Sequence, residues 1–320
     1  MTIQHKSNIM KQKKIPIIFF MLLFCSITSM AQVKKENTKL PPPIIDVHFH
    51  TFKITPGEKM DYLDVYAPKS QTEYEKELQA ALHKYNMYVI ASGDDSVLQT
   101  IKQREPERVF PSKLIWSPKA VDIEQLRQEI KDKKWVAIGE LLSQYATLPA
   151  NDPSLDPLYS LAEEMDIPVG IHMGPGPMGA AYIPMFKGFR ISLTHPFYLE
   201  EVLIKHPKLR LYVMHAGYPM IDEMLGMMYD FPQLYVGIAA IDWIFPNRKE
   251  FYRYLKILVD AGYEKRILFG SDEMNWPQGI ELSIKNVQEA PFLTEAQKRD
   301  IFYNNSVRFF KLNKEEVGGK

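Results

Sequence analysis

From residue 44 onward, short apolar runs alternate with longer stretches in which apolar positions recur every three to four residues. The runs are IIDVHFH (44–50), MYVIAS (87–92), VFPSKLIW (109–116), VAIGE (136–140), PVGIH (168–172), LYVMH (211–215), LYVGIA (234–239) and ILFGSD (267–272). Apolar runs of this length, bounded by polar residues, are the signature of strands buried on both faces. The intervening stretches predict helices over 72–85, 95–103, 123–131, 155–165, 196–206, 220–229, 250–261, 280–287 and 295–302. A strand followed by a helix, eight times over, predicts a parallel sheet covered by helices. An open doubly wound sheet would give the same local pattern, but eight strands in one domain-sized stretch favour closure. The expected fold is therefore α/β, a single-domain (β/α)8 TIM barrel over residues 44–312, with 313–320 as a C-terminal tail.

The residues before the first run are of another kind. Lys6, Lys11, Lys13 and Lys14 come with no acid, an apolar run follows over 15–24, and Ser29-Met30-Ala31 precedes Gln32. That order predicts a signal peptide over 1–31 and export to the periplasm or the medium. Its apolar core is short of the ~20 residues a permanent membrane span requires. Met10 heads a more conventional signal than Met1. Phe24 sits where lipidation of Cys25 would need a small residue. Residues 32–43 are polar, end in Pro41-Pro42-Pro43, and read as an extended tether.

Removing the signal takes four lysines and no acid from a chain with 39 basic and 39 acidic residues, leaving a formal charge of −4. Nothing in that balance points to nucleic acid; a small-molecule substrate is expected, with homo-oligomerisation left open. Cys25 is the only cysteine, so the mature chain has no disulfide and no thiol chemistry.

Five of the runs end in a residue able to bind metal: His48 and His50, Glu140, His172, His215 and Asp272. A parallel barrel brings the C-terminal ends of its strands to one face, so these residues are expected around one pocket. His48 and His50, two apart on a strand, face the same way. Histidine nitrogens with an aspartate oxygen suit zinc or a similar divalent ion and leave room for a water, whose proton Asp272 could accept. Glu140 has three readings: bridge to a second ion, substrate hydrogen-bonder, or partner in an ion pair. His215 has two, a ligand of a second ion or a free imidazole polarising the bond under attack. His83, His195 and His206 fall in helices or at their boundaries. The glycine-rich 174–179 segment is no dinucleotide loop, because Pro175 and Pro177 offer no N–H to phosphate. It is expected to shape the substrate site with Tyr182, Lys187 and Arg190, while Trp243 and Trp276 are candidates to wall it.

From Asp46-Val47-His48-Phe49-His50 to Phe269-Gly270-Ser271-Asp272, the chain resembles the metal-dependent amidohydrolase superfamily. The likeness is to its amidohydrolase-related (amidohydrolase 2) branch, which includes decarboxylases of the aminocarboxymuconate semialdehyde decarboxylase kind. The resemblance implies His48, His50, His172 and Asp272 around a principal metal, with His215 catalytic. It also implies a glutamate bridging two metals in deoxyribonuclease relatives, which Glu140 looks like; no lysine ends the fourth strand to play that part. The expected activity is hydrolysis of an ester, lactone or amide. The alternatives are non-oxidative decarboxylation of an aromatic or unsaturated acid, and a non-catalytic metal- or ligand-binding barrel.

Overall fold

The computed structural model describes residues 40–60, 63–244 and 247–319; the expected signal peptide and residues 32–39 of the expected tether lie outside the described residues. The strands are β1 (Ile44–Thr51), β2 (Met87–Gly93), β3 (Val109–Ile115), β4 (Ala137–Leu141), β5 (Val169–His172), β6 (Leu211–Met214), β7 (Leu234–Gly237) and β8 (Ile267–Leu268). All pair in parallel and in chain order. The two ends of the sheet meet where Val47 N donates to Phe269 O (3.0 Å) and Asp272 N to His48 O (2.8 Å). The expected TIM barrel is therefore formed.

Ten helices are described: α1 (Gln71–Lys84), α2 (Asp95–Arg104), α3 (Ile123–Lys131), α4 (Asp156–Glu164), α5 (Glu200–Lys205), α6 (Ile221–Asp230), α7 (Arg248–Asp260), α8 (Gln278–Gln288), α9 (Glu295–Arg299) and α10 (Asn305–Phe310). Side chains of Ser70, Asp122 and Asn247 accept from backbone N–H groups at the starts of α1, α3 and α7, satisfying donors that have no partner within the helix. Tyr74, Leu78 and Leu82 recur at four-residue spacing on α1 and are fully buried. No helix among the described residues is long and apolar enough to cross a membrane.

Two helices differ from the pattern read in the sequence. The 196–206 stretch starts as a tight turn at Pro196–Leu199 and becomes α-helical only in α5. The 295–302 stretch widens into a π-turn at Asp300–Asn304, because Ile301 O accepts from Phe269 N (3.2 Å) and leaves the regular ladder. Residues 313–319, read as a tail, make a turn that buries Val317 completely among Ile45, Tyr212, Phe309 and Phe310.

The barrel interior decides where the chemistry sits. Ile45, Val47, Tyr212, Met214 and Leu268 fill it below the strand ends. Tyr212 crosses it, donating to Val47 O (3.0 Å), and a Cβ at Gly170 would lie 2.5 Å from the Tyr212 ring, so glycine is required there. The β1–β2 register shifts between Asp46 and Phe49. Beyond the shift Phe49 joins the outer core, while His48 and His50 take the inward positions above Val47.

Candidate metal centre

β1 supplies His48 and His50, β4 Glu140 and β5 His172; His215 follows directly on β6, and Asp272 lies beyond the shortened β8, after Phe269, Gly270 and Ser271. Each is less than a tenth exposed. His215 (φ 60°) and Asp272 (φ 51°) both hold left-handed backbone, which non-glycine residues seldom adopt and which turns each side chain out of its strand path.

The donor atoms converge. His48 Nε2 and His50 Nε2 are 3.1 Å apart, and Asp272 Oδ1 lies 3.7 Å from the first and 3.1 Å from the second. Glu140 Oε2 completes the group at 3.6 and 3.7 Å from the same two nitrogens. Five of the six separations among these four atoms thus lie between 3.1 and 3.7 Å, and His48, His50 and Asp272 together form a group that could share one ion, as do His48, Glu140 and His215. Glu140 Oε1 faces the other way, 2.5 Å from His172 Nδ1 and 3.5 Å from His215 Nε2, with those two nitrogens 2.9 Å apart. Expected beside His48 and His50, His172 is thus brought instead to Glu140 and His215.

The chemistry of the set fits a divalent cation. His50 Nδ1 lies 3.3 Å from Ser92 O and His215 Nδ1 3.0 Å from Ala239 O. Donating N–H there leaves Nε2 of each ring bare and aimed into the cluster. Two bare imidazole nitrogens and two carboxylates in one buried volume call for a shared cation. Behind them, Asp46 Oδ1 accepts from His48 N (2.9 Å) and Ser271 N (3.1 Å), and Ser271 Oγ donates to Asp46 Oδ2 (2.6 Å). Glu273 Oε1 accepts from His50 N (3.0 Å). These carboxylates fix the backbone of the histidine strand to the chain after β8.

Comparison with known proteins fits this geometry. The amidohydrolase family model matches residues 45–312. The chain belongs to the amidohydrolase-2 family. No curated protein matches the sequence. Among solved structures, it is similar to an uncharacterised TIM-barrel protein from Bordetella bronchiseptica (TM-score 0.64, 17% identity, covering 87% of this chain and 100% of the other). It is similar also to a "probable 2-pyrone-4,6-dicarboxylic acid hydrolase" from Acinetobacter baumannii with citric acid bound (0.60, 15%, 84% and 99%). A third is a 2,6-dihydroxybenzoate decarboxylase from Rhizobium (0.58, 16%, 84% and 98%). The protein is thus an enzyme of a metal-dependent family.

In this amidohydrolase the cluster carries opposed charges before any ion binds. Burial would raise the Glu140 carboxyl, but the imidazoles of His172 and His48 hold it well below the usual range. Asp272 is likewise held down against burial by His48, His50 and His215. Burial works against a charge on His50, yet Asp272, with Glu140 and Glu273 behind it, pushes that imidazole up to about 9. His215 is raised, Glu140 and Asp272 outweighing burial, whereas burial prevails at His172 and lowers it.

The expected substrate residues separate. Tyr182 and Arg190 line a cavity of about 620 Å³, and Lys187 is exposed outside that lining. Trp243 and Trp276 do not line it. The first is buried, donates to Ser271 O (2.5 Å) and packs against Gly279; the second donates to Glu58 O (3.1 Å), tying the chain after β8 to the long loop after β1. Tyr145, unmarked in the sequence, meets the His172 ring edge-on at 5.0 Å and contacts Phe186 and Phe189.

Proposed function

We propose that the protein is an exported hydrolase acting on an ester, lactone or amide-type bond through water activated at this centre. The observation that carries the reading is the convergence at the strand ends of His48 Nε2 and His50 Nε2, 3.1 Å apart, with Asp272 Oδ1 and Glu140 Oε2 each within 3.7 Å of both. His48, His50 and Asp272 hold the principal ion, zinc by its nitrogen-rich donors. Glu140, His172 and His215 border it and form the place for a second. A divalent ion there supplies Lewis acidity and lowers the pKa of a water toward ~7. Asp272, kept ionised by the histidines, would be the proton acceptor, through Oδ2, the oxygen turned from His48 and His50. Where no second ion is held, His215, fixed against Ala239 O, is the imidazole that would polarise the bond under attack. Burial of the whole set keeps bulk water away from these charges.

Purified mature protein is expected to contain divalent metal and to hydrolyse members of an ester, lactone and amide panel. His48→Ala should lose the metal and at least ~10³-fold in kcat/KM, the scale of losing the group that activates the water. A wild type that neither contains nor responds to divalent metal would falsify the proposal. The likeness to a decarboxylase favours a second reading, carbon dioxide release from an aromatic acid with Asp272 delivering a proton to carbon. Carbon dioxide formed with no oxygen from labelled water in the organic product would establish that reading instead. Export is tested by N-terminal sequencing of the extracytoplasmic fraction, where a chain starting at Gln32 is expected.

A further inference from the structure

The 620 Å³ cavity is nearly all apolar: Met178, Phe189 and Ile191 come from the chain after β5, Tyr218 from that after β6, and Ile244 from that after β7. Among the described residues, Arg190 is the only charged one lining it. Its volume is that of a site for an organic ligand, several times what a one- or two-carbon group fills. The cavity adjoins the metal centre through its own lining: the Phe189 ring lies 6.4 Å from the His172 ring, and a Cβ at Gly176 would meet Tyr145, whose ring abuts His172. At the outer rim Met178 is 60% exposed, Tyr182 90% and Ile191 48%. Isolated exposed apolar side chains are ordinary, but three on the one segment that lines a cavity beside reactive groups mark a ligand path.

Arg190 sets the sign of what enters. Its Nη1 donates to Lys187 O (2.8 Å) and Phe189 O (2.7 Å), which fixes the guanidinium to its own loop. With no carboxylate in the lining among the described residues to balance it, a cationic group is repelled and a neutral or anionic one is tolerated. A small polar substrate would find few partners here, whereas an apolar chain leaves water favourably.

We infer that this cavity is the subsite for the non-reacting part of the substrate and takes an extended apolar acyl or alkyl group, neutral or anionic. The inference rests on the hydrolase reading above, so its test has one readout that depends on turnover and one that does not. The first is kcat/KM for nitrophenyl esters from acetyl to octanoyl with the metal-loaded protein. It should rise at least tenfold, by at most about fourfold per methylene, and an ester of octanoyl length ending in trimethylammonium should lose that gain. In Ile191→Asp, a substitution at a half-exposed position whose folding is checked by circular dichroism, the octanoyl-to-acetyl ratio should collapse toward 1. The second is fluorescence of 8-anilinonaphthalene-1-sulfonate, an apolar anion: saturable binding by the wild type, weakened at least tenfold by Ile191→Asp. A flat series among esters that are hydrolysed overturns the inference. So does dye binding unchanged in the variant, and so does a dye-silent wild type whose dimer, seen by light scattering, Ile191→Asp dissociates. If no ester, lactone or amide is cleaved, the hydrolase reading fails, and dye binding alone decides the cavity.

Discussion

Asp242 lies in the chain after β7, 1% exposed, with one carboxylate oxygen unpartnered among the described residues. Burial pushes its carboxyl well above the usual range, against the Ser283 hydrogen bond and with Asp46 and Asp272 adding to the rise. Ser283 Oγ touches both Asp242 Oδ2 and Gly270 O, and a hydroxyl has one proton to give. If that proton goes to Gly270 O, a protonated Asp242 completes the chain of donors. A folded pKa above the unfolded ~3.9 means that the native state binds more protons, so stability falls as pH rises from about 4 toward the folded pKa. Asp242→Asn keeps a donor toward Ser283 and removes the titration. Urea midpoints from pH 4 to 8 should therefore fall for the wild type relative to the variant; parallel curves would refute the protonated form. His48 and His50 were legible in the sequence because two-residue spacing on a strand is local information. Asp242, Ser271 and Tyr145 were not, because their partners stand far along the chain, 225 residues apart for Asp46 and Ser271.

At the scale of elements, the alternation of runs and helices was readable because each strand is buried by its own neighbours. What escaped it came from contacts between distant segments. β8 keeps only two residues in the ladder because the chain beyond Leu268 turns its hydrogen bonds to β1 and to Ile301. Trp243 and Trp276 are aromatic residues on loops at the reactive face, and only their N–H partners decide that they brace loops rather than line the cavity. The last residues offer no apolar run, so nothing local announces that Val317 closes the lower end of the barrel. Deleting 313–320 uncovers that site and should cost about 2 kcal/mol, the scale of one buried valine. Val317→Ala should lose a smaller share. Urea denaturation checks both, and a truncated chain as stable as the full one would return the segment to the status of a tail.

For the whole molecule, the absence of any cysteine beyond Cys25 leaves the barrel to its core and to whatever links its strands. The six clustered residues come from five strands or their immediate ends: β1, β4, β5, β6 and β8. Without a cation, two ionised carboxylates and partly charged imidazoles share a volume from which water is excluded. Part of the folding free energy is spent holding them together. An ion that binds the folded cluster and not the unfolded chain returns that cost by mass action, about 2.7 kcal/mol at a free concentration of 100 Kd. In a domain of this size that shifts the melting temperature by about 5–10 °C. Chelation should accordingly lower the wild-type Tm by that amount, and readdition of zinc should restore it. Asp272→Ala, with one donor fewer, should melt at a temperature nearly independent of chelator. Equal chelator sensitivity in the two proteins would place the stabilising ion elsewhere. An insensitive wild type would mean that the barrel holds these charges by packing alone.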